Sequence, residues 1–148
     1  MQRHPKTDGS TRKVNIYQSH SCFIQSCFAV LADITPVILT YNEAANVGRS
    51  LERLTWAADI VIVDSGSTDE TLEIAGRFPN VRTFHRPFDS HAQQWRFATT
   101  ETGVATDWVL RLDADYMMEP ALREEIAALT PTAEVAAYEI AFSYCIDG

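Results

Sequence analysis

The sequence predicts an α/β domain in three layers, a mostly parallel central sheet between two layers of helices. Three observations carry that prediction. Short apolar runs of strand length alternate with helix-period segments from Ile34 onward. The run Ile60-Val61-Ile62-Val63 is continuously apolar, the pattern of a strand covered on both faces. The successive strand–helix units need crossover connections, which are right-handed and make neighbouring strands parallel. That arrangement sets Thr40, Asp64 and Asp113 along one carboxyl edge.

Residues 1–33 read as a poorly ordered N-terminal extension. Met1 to Asn15 is polar and basic, with Arg3, Lys6, Arg12 and Lys13, and Gln25 and Ser26 interrupt the apolar stretch from Cys22 to Ala32. A basic start, a short apolar stretch and a small residue at Ala32 form a faint signal-peptide pattern. The stretch is too short to span a bilayer. Residues 34–148 form the domain. Ile34 to Thr40 is a buried strand, with Pro36 tolerable near its start. Ala44, Val47, Leu51 and Leu54 then recur at helical spacing, with Asn42 as the expected cap and Glu43 in the first turn. Asp59 to Asp64 is the second strand, and Ser65 to Glu70 a turn into a helix over 68–77 that is expected to bury Leu72, Ile74 and Ala75. Val81 to Phe84 is a short strand, followed by a helix over about 90–101 and the strand Asp107 to Leu112. Pro120 opens a further helix through Leu129, since proline suits a first turn. Val135 to Phe142 is the last strand.

Composition narrows the function. The 148 residues, 46% hydrophobic and 22% charged, suit one ordinary globular domain. A net charge of −8 argues against a nucleic-acid surface, which carries a basic stripe. Cys22, Cys27 and Cys145 make an odd count without a CxxC pair, so they read as reduced thiols rather than a disulfide framework or zinc site.

The chemistry centres on Asp113-Ala114-Asp115, where an apolar run stops in two carboxylates. In extended backbone, residues i and i+2 point to the same face, so the pair is expected to converge. Two hard oxygen ligands at the carboxyl end of a buried strand suit Mg²⁺ or Mn²⁺, and such an ion suits a diphosphate. An acidic protein needs a cation or local helix N-termini to hold an anionic ligand, and the Asp pair fits the first.

Thr40-Tyr41-Asn42-Glu43, Val63-Asp64-Ser65-Gly66-Ser67-Thr68-Asp69, Leu112-Asp113-Ala114-Asp115 and Arg86-Pro87-Phe88-Asp89-Ser90-His91-Ala92-Gln93-Gln94-Trp95 together resemble family-2 glycosyltransferases of the Rossmann-like GT-A fold. The resemblance runs from about Ile34 to Gly148 and is to bacterial members that extend lipopolysaccharide cores or surface polysaccharides. It implies transfer of a sugar from a nucleotide-sugar, UDP-linked, to a glycan or lipid-linked acceptor with inversion. It implies that Tyr41 stacks on the base, that Thr40 and Glu43 line the nucleoside pocket, and that Asp64 accepts a base N–H. It implies too that Asp113 stands by the ribose or sugar and the metal, and that Asp115 is the direct metal ligand. Plainer roles stay open: Tyr41 as a rim aromatic packed on the sheet, Glu43 as a helix-start carboxylate, Asp64 as a cap of its turn through Ser67 and Thr68. Arg96 reads as exposed, and His85 and His91 as polar surface.

The catalytic base is expected beyond Gly148, on an acceptor-binding half this chain lacks, so the catalytic residue is unassigned. Family relatives often carry a second acid where Ser65 stands. The implied location is cytoplasmic, with peripheral contact at the inner membrane face for lipid-linked acceptors. Two other readings compete: a remnant that binds nucleotide-sugar without turnover, and an Asp-dependent phosphotransferase. Against the second, Met117 occupies the position where a threonine is needed. A dinucleotide-binding oxidoreductase lacks its GxGxxG after the first strand.

Overall fold

In the computed structural model, which describes residues 13–18 and 30–141, six strands form one sheet. They are β1 (Lys13–Gln18), β2 (Ile34–Thr40), β3 (Ile60–Asp64), β4 (Val81–His85), β5 (Trp108–Asp113) and β6 (Ala137–Ala141), in the order β4-β3-β2-β5-β1-β6. β2, β3, β4 and β5 run parallel, and β1 is antiparallel to both β5 and β6. The helices are α1 (Val47–Glu52), α2 (Thr71–Ala75), α3 (His91–Thr100) and α4 (Pro120–Ala127).

Strand alternation divides the core between the two faces of the sheet. Ile34 and Ile38 of β2, Ile60 and Ile62 of β3, and Trp108, Leu110 and Leu112 of β5 pack with Val47 and Leu51 of α1, Ala75 of α2 and Ile126 of α4. The intervening residues Val37, Val61, Val63 and Val109 pack on the other face with Ala98 of α3, flanked by Trp95 and Phe97. Every residue of β3 is buried, as its unbroken apolar run requires.

The N-terminal strand departs from the sequence reading. Lys13–Gln18 lies inside the sheet between β5 and β6, where a poorly ordered extension was expected. Its sequence Lys-Val-Asn-Ile-Tyr-Gln alternates polar and apolar residues, a strand period that basic composition obscures. The cysteines and Phe142 lie outside the described residues. α2 is also shorter than expected, because residues 68–70 are spent in the loop before it. Thr71 and Ala75, four apart, then face the core, Ile74 is half-buried and Leu72 is 39% exposed. No described helix is long and apolar enough to cross a membrane.

α3 begins where the sequence places it. Ser90 is extended, and its hydroxyl accepts from the Gln93 amide at 3.3 Å, satisfying one otherwise unpaired donor of the first turn. Ser90→Ala is expected to cost about 1 kcal/mol, read from the urea midpoint of unfolding. An unchanged midpoint would remove the cap from the account of α3.

Candidate functional site

The register of the parallel strands builds the carboxyl rim. Thr40 pairs with Asp64, Asp64 with His85, and Leu39 with Asp113, so the ends of β2, β3, β4 and β5 fall on one level. From β2 the chain moves outward through β3 to β4, then returns to lay β5 on the other side of β2. The connections from the β2 and β5 ends therefore diverge, and open α/β sheets bind ligands in the crevice this leaves.

Asp64 is the structural centre of the rim. Its Oδ2 accepts from the amides of Gly66 (2.8 Å) and Ser67 (2.9 Å), and its Oδ1 from the hydroxyls of Thr40 (3.1 Å) and Ser67. Gly66 sits at φ +105°, which favours glycine, and completes the turn that brings both amides back. Burial raises the Asp64 pKa, but the hydrogen bonds from Ser67, Gly66 and Thr40 outweigh it and hold the carboxyl below the usual aspartate value. Asp64 is 1% exposed and its four acceptor positions are occupied within the protein, so it shapes the turn. Thr40 is buried too, its hydroxyl committed to Asp64. The turn amides are those of Gly66 and Ser67; the Thr68 amide goes to Asn42.

Asn42 has a different task from the helix cap expected of it. The residue at the N-terminus of α1 is Asn46, while Asn42 adopts φ +55°, a conformation asparagine tolerates. Its amide donates to the Ser67 hydroxyl and its Oδ1 accepts from the Thr68 amide, both at 2.8 Å. Asp69 adds a second tie, accepting from the Ala44 amide (3.1 Å) and from the amide and hydroxyl of Thr71. The loops after β2 and β3 are thus one hydrogen-bonded unit. Tyr41 stands on it, 60% exposed, so its ring is not packed down on the sheet. Glu43 is half-buried, and its Oε2 accepts from the Asn46 side chain at 2.9 Å.

Across the crevice, β5 ends at Asp113 and the chain turns at once: the Tyr116 amide donates to the Asp113 carbonyl at 3.0 Å. The extended i, i+2 geometry expected for the acidic pair is therefore replaced by a turn at Ala114-Asp115, with Ala114 buried beneath it. Asp113 is half-buried and Asp115 exposed. Neither carboxylate has a hydrogen-bond or ion-pair partner among the described residues, so both are available to a ligand. No group of three or more His, Cys, Asp or Glu placed to hold a metal occurs among the described residues. Two carboxylates fit a hard divalent cation whose remaining ligands come from a bound phosphate and water.

The third side of the rim comes from the Arg86–Trp95 motif, whose residues carried the resemblance without an assigned role. Arg86 forms a two-pronged ion pair with Asp89 (2.9 and 2.8 Å) and donates to the buried Gln94 Oε1 at 2.7 Å. The Arg86 guanidinium lowers the Asp89 pKa to about 2. Gln94 is a polar residue on the buried side of α3, and only its environment gives it away. Arg96, His85 and His91 are exposed, as expected.

Comparison with known proteins agrees with this architecture. Lipopolysaccharide core biosynthesis glycosyltransferase LpsC of Rhizobium meliloti is 34% identical over 100 residues, 65% of this chain and 36% of that protein. Succinoglycan biosynthesis protein ExoA of the same organism is 31% identical over 121 residues, 72% of this chain and 37% of that one. The chain thus spans little more than a third of the length of these curated relatives. Among solved structures, S. aureus TarS 1-349 superposes with a TM-score of 0.54 at 21% identity, covering 64% of this chain and 31% of that one. The similarity to TarS bears on the fold alone, which is that of GT-A glycosyltransferases. The family model described as glycosyl transferase family 2 matches residues 35–143, and this chain belongs to that family.

Proposed function

We propose that this chain forms the donor-binding part of a glycosyltransferase that moves a sugar from a UDP-linked donor to a glycan or lipid-linked acceptor with inversion. The observation that carries the reading is the crevice at the divergence of β2 and β5. An exposed aromatic ring stands on one wall, and two carboxylates without protein partners among the described residues stand on the other. Tyr41 stacks on the base, Glu43 borders the nucleoside pocket, and Asp113 meets the ribose or sugar hydroxyls. Asp115, with Asp113, holds Mg²⁺ or Mn²⁺. When bound, the cation stabilises the charge developing on the departing diphosphate as a Lewis acid. The acceptor hydroxyl attacks the anomeric carbon opposite the leaving group, and a carboxylate base takes its proton. No described residue is proposed as that base. The reading implies a cytoplasmic location, where nucleotide-sugars are found, with peripheral membrane contact where the acceptor is lipid-linked.

Calorimetry of UDP binding to the purified chain, with Mn²⁺ and with chelator, tests the donor site. Saturable binding that chelator abolishes is expected. A folded sample that takes up no UDP under either condition would overturn the assignment. Product formation with a sugar acceptor then separates a working enzyme from a chain that only binds donor.

A further inference from the structure

Gln94 is 1% exposed, yet its side-chain amide is fully employed. Its Nε2 donates to the Arg86 carbonyl (3.0 Å) and to the Ser65 hydroxyl (2.9 Å), and its Oε1 accepts from the Arg86 guanidinium (2.7 Å). The amide has one workable orientation. Reversing it would face oxygen against the Arg86 carbonyl and NH₂ against the guanidinium. Gln94 therefore always presents a donor to Ser65 Oγ.

That fixes the polarity of Ser65. A hydroxyl that receives an N–H on one lone pair turns its own hydrogen away from that donor. The Ser65 hydrogen meets no acceptor among the described residues. Ser65 is half-buried on the rim: its amide donates to the Thr40 carbonyl (2.9 Å) beside Tyr41, and the Arg86 amide donates to the Asp64 carbonyl (2.9 Å) on its other side. The hydroxyl thus stands between the end of β2, where Tyr41 is exposed, and the end of β4.

We infer that Gln94 is a positioning residue that turns the Ser65 hydroxyl outward as a hydrogen-bond donor to a ring carbonyl oxygen of the bound nucleobase. The inference rests on the donor-site reading above, since it needs a base over this part of the rim. It assigns recognition to a neutral hydroxyl and places its control in α3, outside the crevice. The Arg86–Asp89 pair belongs to the same device, because it anchors the oxygen end of the Gln94 amide.

Calorimetry with UDP and Mn²⁺ on four proteins tests this: wild type, Ser65→Ala, Gln94→Glu and the double variant. Ser65→Ala is expected to weaken binding roughly fivefold, the worth of one hydrogen bond. Gln94→Glu keeps the shape and the contact with the Arg86 guanidinium and gives up the hydrogen bond to the Arg86 carbonyl, and its carboxylate accepts the Ser65 hydrogen and draws it inward. The same loss, roughly fivefold, is therefore expected without Ser65 being touched. In the double variant the second change adds nothing, which a general loosening of α3 would not reproduce. Thermal melting of each protein checks folding, and Ser65→Ala decides the matter if Gln94→Glu does not fold. Wild-type affinity in Ser65→Ala, or additive losses in the double variant, would overturn the inference while leaving the donor site standing. No UDP binding by the wild type would instead remove the donor site, and this inference with it.

Discussion

Asp64→Ala is expected to lower the stability of the domain by about 3–5 kcal/mol, because four donors lose a buried acceptor at once and each orphan costs about 1–3 kcal/mol before local relaxation. The donors are the amides of Gly66 and Ser67 and the hydroxyls of Thr40 and Ser67. At 1% exposure, water has no ready path to replace the carboxylate. Asp64→Asn is milder, about 1–2 kcal/mol. Its oxygen can face the two backbone amides and its NH₂ the two hydroxyls, which rotate to accept. Urea unfolding of the three proteins gives the order directly. A loss below about 1 kcal/mol in Asp64→Ala would contradict a structural role for this carboxylate.

The same residue predicts a pH dependence. Its folded-state pKa lies below the ordinary value of 3.8, so its ionised form is the one the fold prefers. The stability it contributes is complete above that ordinary value and is lost as pH falls through the folded-state value. The stability difference between wild type and Asp64→Ala should therefore narrow on acidification below 3.8 and stay constant above it. A difference that widens in acid would reverse the assigned direction of the shift.

Asp115→Ala is expected to act on function and leave the fold alone. The side chain is exposed and has no hydrogen-bond or ion-pair partner among the described residues, so its removal orphans no described partner. Groups that stabilise developing charge are worth about 3–4 kcal/mol, so under the proposed function any transfer the wild type shows should slow by at least about a hundredfold. Metal-dependent UDP binding should weaken in parallel, with the melting temperature unchanged. Full activity in Asp115→Ala would remove this residue from the metal site. A fall in melting temperature matching the activity loss would make its role structural.

The contrast between these two aspartates shows how far the sequence reaches. Both lie on the same rim, Asp64 at the end of β3 and Asp115 in the turn after β5, and both were read as ligand contacts from the motifs around them. Asp115 keeps that reading as a proposal, because the turn after β5 leaves it in solvent. Asp64 is engaged within the protein, because the chain immediately after β3 folds back over the carboxylate and claims its lone pairs.

What the sequence determines here is what depends on near neighbours. The apolar period locates β2 through β6 and α3, Ser90 sets the start of α3, and strand–helix alternation brings Thr40, Asp64 and Asp113 to one edge. What only the tertiary structure decides is partnership at a distance. Asn42 meets Thr68 across 26 positions and Gln94 meets Ser65 across 29, and no local pattern announces either. Strand order likewise draws β1 into the sheet between β5 and β6. The physical reason is that periodicity records which face of an element is buried, whereas a hydrogen bond depends on which loops the assembled sheet sets side by side.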